Sequence, residues 1–267
     1  MKFRWFFATL GLSLLFPVSV PAQTKPFEIL DNSFLVEEAF NQERGVVQNI
    51  FSWTRSNTGE WGASFTQEWP VPTVTHQFSY TVPWTGGDGA SAHVGGVLLN
   101  YRFQAFGEGP GRAAFAPRLS VVLPSASDED ASDRPGLQVN LPFSKQVGDL
   151  YLHWNAGVIW LHGVPRGLDD ATNLTSPQVS ASVIWNMRPL LNPMFEMIVV
   201  FDEAVDAHLS TSRERTVIWC PGLRGGWNLG ETQLIVGGAL PVTVRDDERT
   251  VALLTYLSLE LPFTKKR

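Results

Sequence analysis

The sequence is poor in cysteine and in charged residues. Its single cysteine, Cys220, excludes an intrachain disulfide and a cysteine-based metal cluster. The histidine, aspartate and glutamate residues show no metal-ligand spacing, so we expect neither a metal nor another cofactor. Charged residues make up only 17% of the chain, and the formal net charge of −6 argues against a nucleic-acid partner.

Long hydrophobic runs are also scarce. The one run, at residues 5–16, follows a basic N-terminus and is short for a bilayer span. Small residues follow it up to Ala22, and this order is typical of a secretory signal peptide over residues 1–22, cleaved between Ala22 and Gln23. The sequence therefore predicts export, and the lack of a second run excludes a helical membrane protein.

The chain instead alternates apolar and polar residues, most clearly in Gly136–Trp160. Two runs of about ten residues flank Gly148-Asp149, a pair that suits a tight hairpin turn. Each run has one apolar face, as expected of a barrel strand that crosses a membrane. The apolar positions are Leu137, Val139, Leu141 and Phe143 in the first run and Leu152, Trp154, Ala156, Val158 and Trp160 in the second.

The same alternation repeats from residue 46 to residue 263. It predicts an all-β fold, a transmembrane antiparallel up-and-down β-barrel of about 12 strands of the outer-membrane type. Residues 23–45 are predicted to be periplasmic or to enter the lumen, with an extra strand as the alternative, and residues 264–267 form a basic tail. Short turns are predicted to alternate with long polar loops. Those loops are Pro124–Pro135, His162–Ser176 and Ala204–Glu214.

The predicted location determines the predicted partners. An outer-membrane barrel contacts outer-membrane lipids and lipopolysaccharide through its apolar faces. The barrel-assembly machinery is expected to read the C-terminal strand, which ends on the aromatic residue Phe263. The transported solute is not identified by the sequence.

Several stretches resemble a known bacterial family. Glu37–Trp53, Phe65–Pro72, His76–Trp84, Phe115–Pro124 and Gly136–Gly157 resemble the outer-membrane family described as "MetA pathway of phenol degradation". The resemblance implies an outer-membrane barrel that acts as a transporter for small solutes, including hydrophobic or aromatic ones. It implies no catalytic motif.

Polar positions opposite the apolar faces are predicted to line the lumen. Rings of charged side chains set which solutes pass through a channel, so these residues are the candidates for solute selectivity. The alternative is a polar network that fills the lumen of a structural, plugged barrel. The candidates are Glu68, Arg102, Arg118, Lys145, His153, Glu196, Arg224 and Glu260.

An enzyme is the less favoured alternative. An outer-membrane hydrolase needs a serine beside a histidine that a third polar group orients. Ser144 and His153 lie on the two strands of the Gly136–Trp160 hairpin and could approach each other, but no recognisable motif surrounds them. We therefore predict a channel and no catalytic residue.

Overall fold

A computed structural model of the chain describes residues 29, 31–89, 91–125, 134–167, 170–246 and 248–263. The predicted signal peptide and the basic tail lie outside these residues. Within them, no helix is long and apolar enough to cross a membrane.

The described residues form one antiparallel sheet that closes on itself, because β1 pairs with β15 along its whole length. The two-residue segments β4 and β6 lie beside this sheet, and β13 and β14 are two parts of one strand, so the barrel has twelve strands. The predicted fold is confirmed. The segments are β1 (Val46–Ser56), β2 (Trp61–Trp69), β3 (His76–Gly86), β4 (His93–Val94), β5 (Val97–Phe103), β6 (Ala114–Phe115), β7 (Arg118–Leu123), β8 (Gly136–Val147), β9 (Leu150–Pro165), β10 (Ala171–Trp185), β11 (Leu191–Val205), β12 (Thr211–Leu229), β13 (Thr232–Ala239), β14 (Val242–Arg245) and β15 (Glu248–Pro262).

The two faces of each strand differ in polarity, as the sequence predicts. In β8 and β9, which form the predicted hairpin, most outward positions are apolar, and the inward positions include the buried polar side chains of Gln138, Asn140, Ser144, His153 and Asn155. Gly148 has a φ of 60° in the turn between them, a left-handed conformation that glycine adopts without strain. Exposed apolar side chains around the barrel include Phe78, Leu99, Leu137, Trp154, Val179, Phe195, Trp219 and Leu257.

We call the end of the barrel where β1 begins and β15 finishes the turn end, and the opposite end the loop end. Two predicted long loops at the loop end, His162–Ser176 and Ala204–Glu214, are shorter than expected because the strands continue into them. The ladder of backbone hydrogen bonds does not require apolar side chains, and polar pairs such as Arg213 with Glu203 form across it. The observed connections are 166–170 and 206–210.

Residues 104–117 connect β5 with β7 at the turn end. Ala114 and Phe115 of β6 pair with Ser144 and Phe143 in the same register in which β7 pairs with β8, so β6 continues β7 along β8. Bridges between Phe106 and Phe115 and between Gly109 and Arg112 continue the β5–β7 hairpin beyond the assigned strands. The part of the connection without strand pairing is therefore short, as the predicted alternation requires.

Candidate functional site

The lumen contains residues 31–44, which we call the N-terminal segment. This segment forms neither helix nor strand, so its backbone groups have no partners within a regular element. Inward-facing polar side chains of the barrel wall supply those partners. The candidate site is therefore the contact between the N-terminal segment and the wall.

Glu196 of β11 is completely buried and binds three successive backbone N–H groups. Its Oε1 accepts a hydrogen bond from Phe34 N at 3.0 Å, and its Oε2 accepts from Leu35 N and Val36 N, both at 2.8 Å. Hydrogen bonds to an ionised carboxylate are stronger than those between neutral groups. Glu196 thus fixes the middle of the N-terminal segment.

Arg224 of β12 binds the beginning of the described chain through its guanidinium group. Nη1 donates to the carbonyl oxygens of Asp31 and Asn32, both at 2.8 Å, and Nη2 donates to the carbonyl oxygen of Ile29 at 3.3 Å. The arginine is 1% exposed. Arg224 therefore binds backbone carbonyl groups at the beginning of the described chain, and Glu196 binds the backbone N–H groups that follow.

Glu37 connects the N-terminal segment to four residues of the opposite wall. Its carboxylate lies 3.2 Å from Arg102 Nη1 and 3.0 Å from Arg118 Nε, and it accepts a hydrogen bond from Asn140 Nδ2 at 2.6 Å. Its backbone N–H and carbonyl both bond to the Asn155 side-chain amide, at 3.0 and 2.8 Å. This charged centre therefore joins the N-terminal segment to the wall.

An aromatic side chain adds an apolar anchor. The ring of Phe34 lies against Gly222 of β12 and Gly237 of β13, and a Cβ atom at either glycine would come within 2.7 or 2.4 Å of it. The Tyr256 ring lies 5.2 Å from it on the other side. Inward glycines in a strand allow close approach of another group, and here that group is the N-terminal segment.

Buried carboxyl groups of the N-terminal segment are held in a low-dielectric environment. Burial raises the pKa of Asp31, although Arg224 and hydrogen bonds from Tyr256 and Gln48 oppose this shift. Burial, together with the nearby Asp31 carboxylate, raises the pKa of Glu38 to about 8. At neutral pH the Glu38 carboxyl therefore retains a proton to a large extent.

The N-terminal segment separates two cavities. Residues 32–37 border a cavity of about 280 Å³, the loop-side cavity, whose wall consists mostly of amide and hydroxyl side chains. Residues 38 and 40–43 border a cavity of about 360 Å³, the turn-side cavity, next to the β12–β13 turn. The lumen thus has an open space on each side of the segment.

Seven of the eight predicted lumen residues lie on inward faces. Glu68, Arg102, Arg118, His153, Glu196 and Arg224 contact the N-terminal segment or the residues bound to it, and Glu260 borders the turn-side cavity. Their role in selectivity stays a prediction.

Lys145 does not lie on the lumen face, contrary to the prediction. It follows the inward residue Ser144 in β8, so it belongs to the outward face. Its Nζ lies 3.0 Å from Glu108 and donates to the Gly109 carbonyl at 2.9 Å, both in the 104–117 connection. The charge of Lys145 suggests a position in the lumen, but the alternation of β8 puts this residue on the outer face of the barrel.

The structure brings Ser144 and His153 together. Ser144 Oγ lies 2.7 Å from His153 Nδ1, and it also accepts a hydrogen bond from Ala39 N at 2.7 Å. Both side chains are buried, and within the described part of the chain no hydrogen-bond partner of His153 Nε2 orients the ring. Through the bond from Ala39 N, the pair is a further anchor for the N-terminal segment.

The sequence-based list omitted Asn140, Asn155 and the side chain of Glu37. Asn140 and Asn155 occupy inward positions of the alternation, so the strand pattern is the signal that identifies them. A pair of inward glycines, Gly222 and Gly237, was a second available signal. Among the described residues, no group of three acidic, histidine or cysteine side chains could hold a metal ion.

We expect Arg102→Met to lower the free energy of unfolding by about 3–5 kcal/mol, because it removes the only cation within salt-bridge distance of the buried Glu68 among the described residues and one of the two cations beside Glu37. Urea unfolding in detergent, followed by tryptophan fluorescence, measures the change. The control is Arg55→Met, which removes an exposed ion pair with Asp88 and should cost about 0.2–1 kcal/mol. Equal losses for the two variants would contradict the assignment.

The fold of the chain is similar to those of solved outer-membrane proteins. The chain is similar to the COG4313 outer membrane channel from Pseudomonas putida F1, with a TM-score of 0.64 and 9% sequence identity over 84% of this chain and 98% of that one. It is also similar to the NanC porin, with a TM-score of 0.51 and 9% identity over 80% of this chain and 100% of that one. The fold is therefore that of outer-membrane β-barrels.

Sequence comparisons do not extend this result. No protein-family model matches the chain, and no curated protein matches its sequence. The resemblance to the phenol-degradation family is not confirmed, and at 9% identity the structural similarities show the fold alone.

Proposed function

We propose that the chain is an outer-membrane channel for small solutes and that the structure is its closed state. The observation that carries the proposal is the N-terminal segment, which lies in the lumen, is held there by non-covalent contacts and separates two cavities. The apolar outer surface suits a membrane, and both similar solved structures are outer-membrane channels or porins. Solutes cross by passive diffusion once the segment moves.

The orientation follows from the usual arrangement of such barrels. The turn end, with both ends of the barrel chain, faces the periplasm, and the loop end faces the exterior. Outer-membrane lipids and lipopolysaccharide contact the apolar outer faces. The assembly machinery reads the last strand, where Phe263 N donates to the Gly45 carbonyl at 2.7 Å and joins the end of β15 to the start of β1.

The lining of the loop-side cavity favours hydrophilic solutes. Its wall includes Ser64, Thr81, Asn100, Gln138 and Gln178, whose amide and hydroxyl groups offer hydrogen bonds. Such groups bind water as well as hydroxylated or amide-bearing solutes, and they offer little to an aromatic hydrocarbon. Passage of hydrophobic or aromatic solutes stays a prediction from the family resemblance.

A reversible disulfide tests whether the N-terminal segment closes the channel. Ser33 Oγ and Ser182 Oγ are 2.6 Å apart, so cysteines at both positions can be bridged with little movement. In a Cys220→Ala background, we expect the oxidised Ser33→Cys/Ser182→Cys protein to lose its conductance in planar bilayers. A reducing agent should restore it to the level of the unmodified protein.

The controls separate the alternatives. Ser182→Cys alone should conduct equally in both redox states. No conductance of any variant in either state would instead support the permanently plugged, structural barrel. Conductance that is insensitive to oxidation would show a channel whose solutes pass beside the segment, and the gating role would be wrong.

A further inference from the structure

Four glutamate side chains border the turn-side cavity. Glu38, Glu43, Glu231 and Glu260 all line it, and none of the described residues around it is lysine or arginine. Glu38 lies at the buried end, with 4% of its surface exposed, whereas Glu43 and Glu231 are exposed at the mouth. When these carboxyl groups are ionised, their negative charges repel one another, and a cation placed between them removes the repulsion.

Glu38 supplies an independent indication of a ligand. Its Oε2 is buried and has no hydrogen-bond partner in the described chain. Such an acceptor costs about 1–3 kcal/mol unless a donor reaches it. The Glu38 N–H bonds to Asn32 Oδ1 at 3.0 Å, so the N-terminal segment holds this residue at the edge of the cavity.

The spacing of the glutamates and the volume of the turn-side cavity favour an organic cation over a metal ion. No three acidic side chains of the described residues are close enough to coordinate one ion. The cavity of about 360 Å³ also includes two rings, Phe40 and Tyr151, with centroids 6.0 Å apart. An alkyl chain can pack on these rings while ammonium groups at its ends reach carboxylates at different depths.

We propose that the turn-side cavity binds an organic cation with amino groups at both ends, one beside Glu38 and the other beside Glu260 and the mouth. This inference goes beyond passage of solutes, because it concerns equilibrium binding at one end of the lumen. It can hold or fail whether or not the barrel conducts.

Isothermal titration of the full chain in detergent with 1,4-diaminobutane tests the proposal. The titration is performed at pH 8.5, above the pKa of Glu38, so that the carboxyl is ionised. We expect 1,4-diaminobutane to bind at least tenfold more tightly than 1,4-butanediol, which has the same length without charge. Glu38→Gln and Glu260→Gln should each weaken binding at least tenfold, and Glu203→Gln, at the loop end, should leave it unchanged.

Any one of four results would overturn the proposal. The first is equal binding by the diol, and the second is unchanged diamine affinity in Glu38→Gln and Glu260→Gln variants that keep the heat-modifiable gel mobility of a folded barrel. The third is binding that appears only after Lys265, Lys266 and Arg267 are replaced by glutamine, because this would assign the cavity to the chain's own basic residues. Equally tight binding of Mg²⁺ would also contradict it, since that would indicate attraction by charge alone.

Discussion

Gly237→Ala should open the channel roughly tenfold to a hundredfold more often, because inserting a methyl group into a packed contact costs about 1–3 kcal/mol and 1.4 kcal/mol is tenfold. The added Cβ would lie 2.4 Å from the Phe34 ring, which is part of the N-terminal segment. The clash with Phe34 strains the closed state only, whereas the tight contact of the added Cβ with the Leu223 carbonyl oxygen of the wall, at 3.3 Å, is common to both states. Single-channel recording of open probability measures the effect.

A neighbouring glycine provides the control for this substitution. A Cβ at Gly238, one residue further along β13, has its nearest neighbour at 3.6 Å, so Gly238→Ala should leave the open probability unchanged. The rate of thiol labelling gives a second measurement of segment opening, and this rate does not depend on conductance. A cysteine placed at Ser33, which is 2% exposed, should react faster with a maleimide in the Gly237→Ala background. Equal labelling rates in the two glycine variants would show that the contact between the Phe34 ring and Gly237 does not hold the segment.

The barrel could be predicted from the sequence because its determinants are local. Alternation along each strand requires only neighbouring residues, and the β8–β9 hairpin shows both faces and its turn within one stretch. Strand ends were less predictable, since polar pairs such as Glu203 and Arg213 continue the ladder beyond the apolar region. Lys145 shows the limit of polarity as a guide, because its position after Ser144 determines its face.

The occupation of the lumen could not be predicted in the same way. Each contact of the N-terminal segment joins residues far apart in the chain, for example Phe34 with Glu196 and Asp31 with Tyr256. A buried charge in a strand indicates that a partner exists, but not which part of the chain supplies it. The alternation therefore predicts inward charges and suggests a role in selectivity. The structure shows that Arg102, Arg118, Glu196 and Arg224 bind the N-terminal segment.

The strongest of these contacts gives the second large prediction, for Glu196→Gln. The glutamine side chain keeps one carbonyl oxygen, but its amide group would face an N–H group where the carboxylate accepted a hydrogen bond. Hydrogen bonds to a charged group contribute about 1.5–3 kcal/mol, so local opening of residues 34–36 should increase roughly tenfold to a hundredfold. Hydrogen exchange measured by mass spectrometry reports this opening directly on the amides of Phe34, Leu35 and Val36.

Glu203→Gln is the matched control, because Glu203 also accepts a backbone hydrogen bond, from Thr175 N at 2.7 Å, but lies at the loop end. It should leave exchange in residues 34–36 unchanged. If Glu196→Gln speeds exchange there and also raises conductance, the carboxylate both anchors the segment and keeps the channel closed. If exchange rises while conductance does not, the contact anchors the segment but another barrier closes the lumen. Unchanged exchange would mean that the remaining anchors, led by Arg224 and Glu37, hold the segment without Glu196.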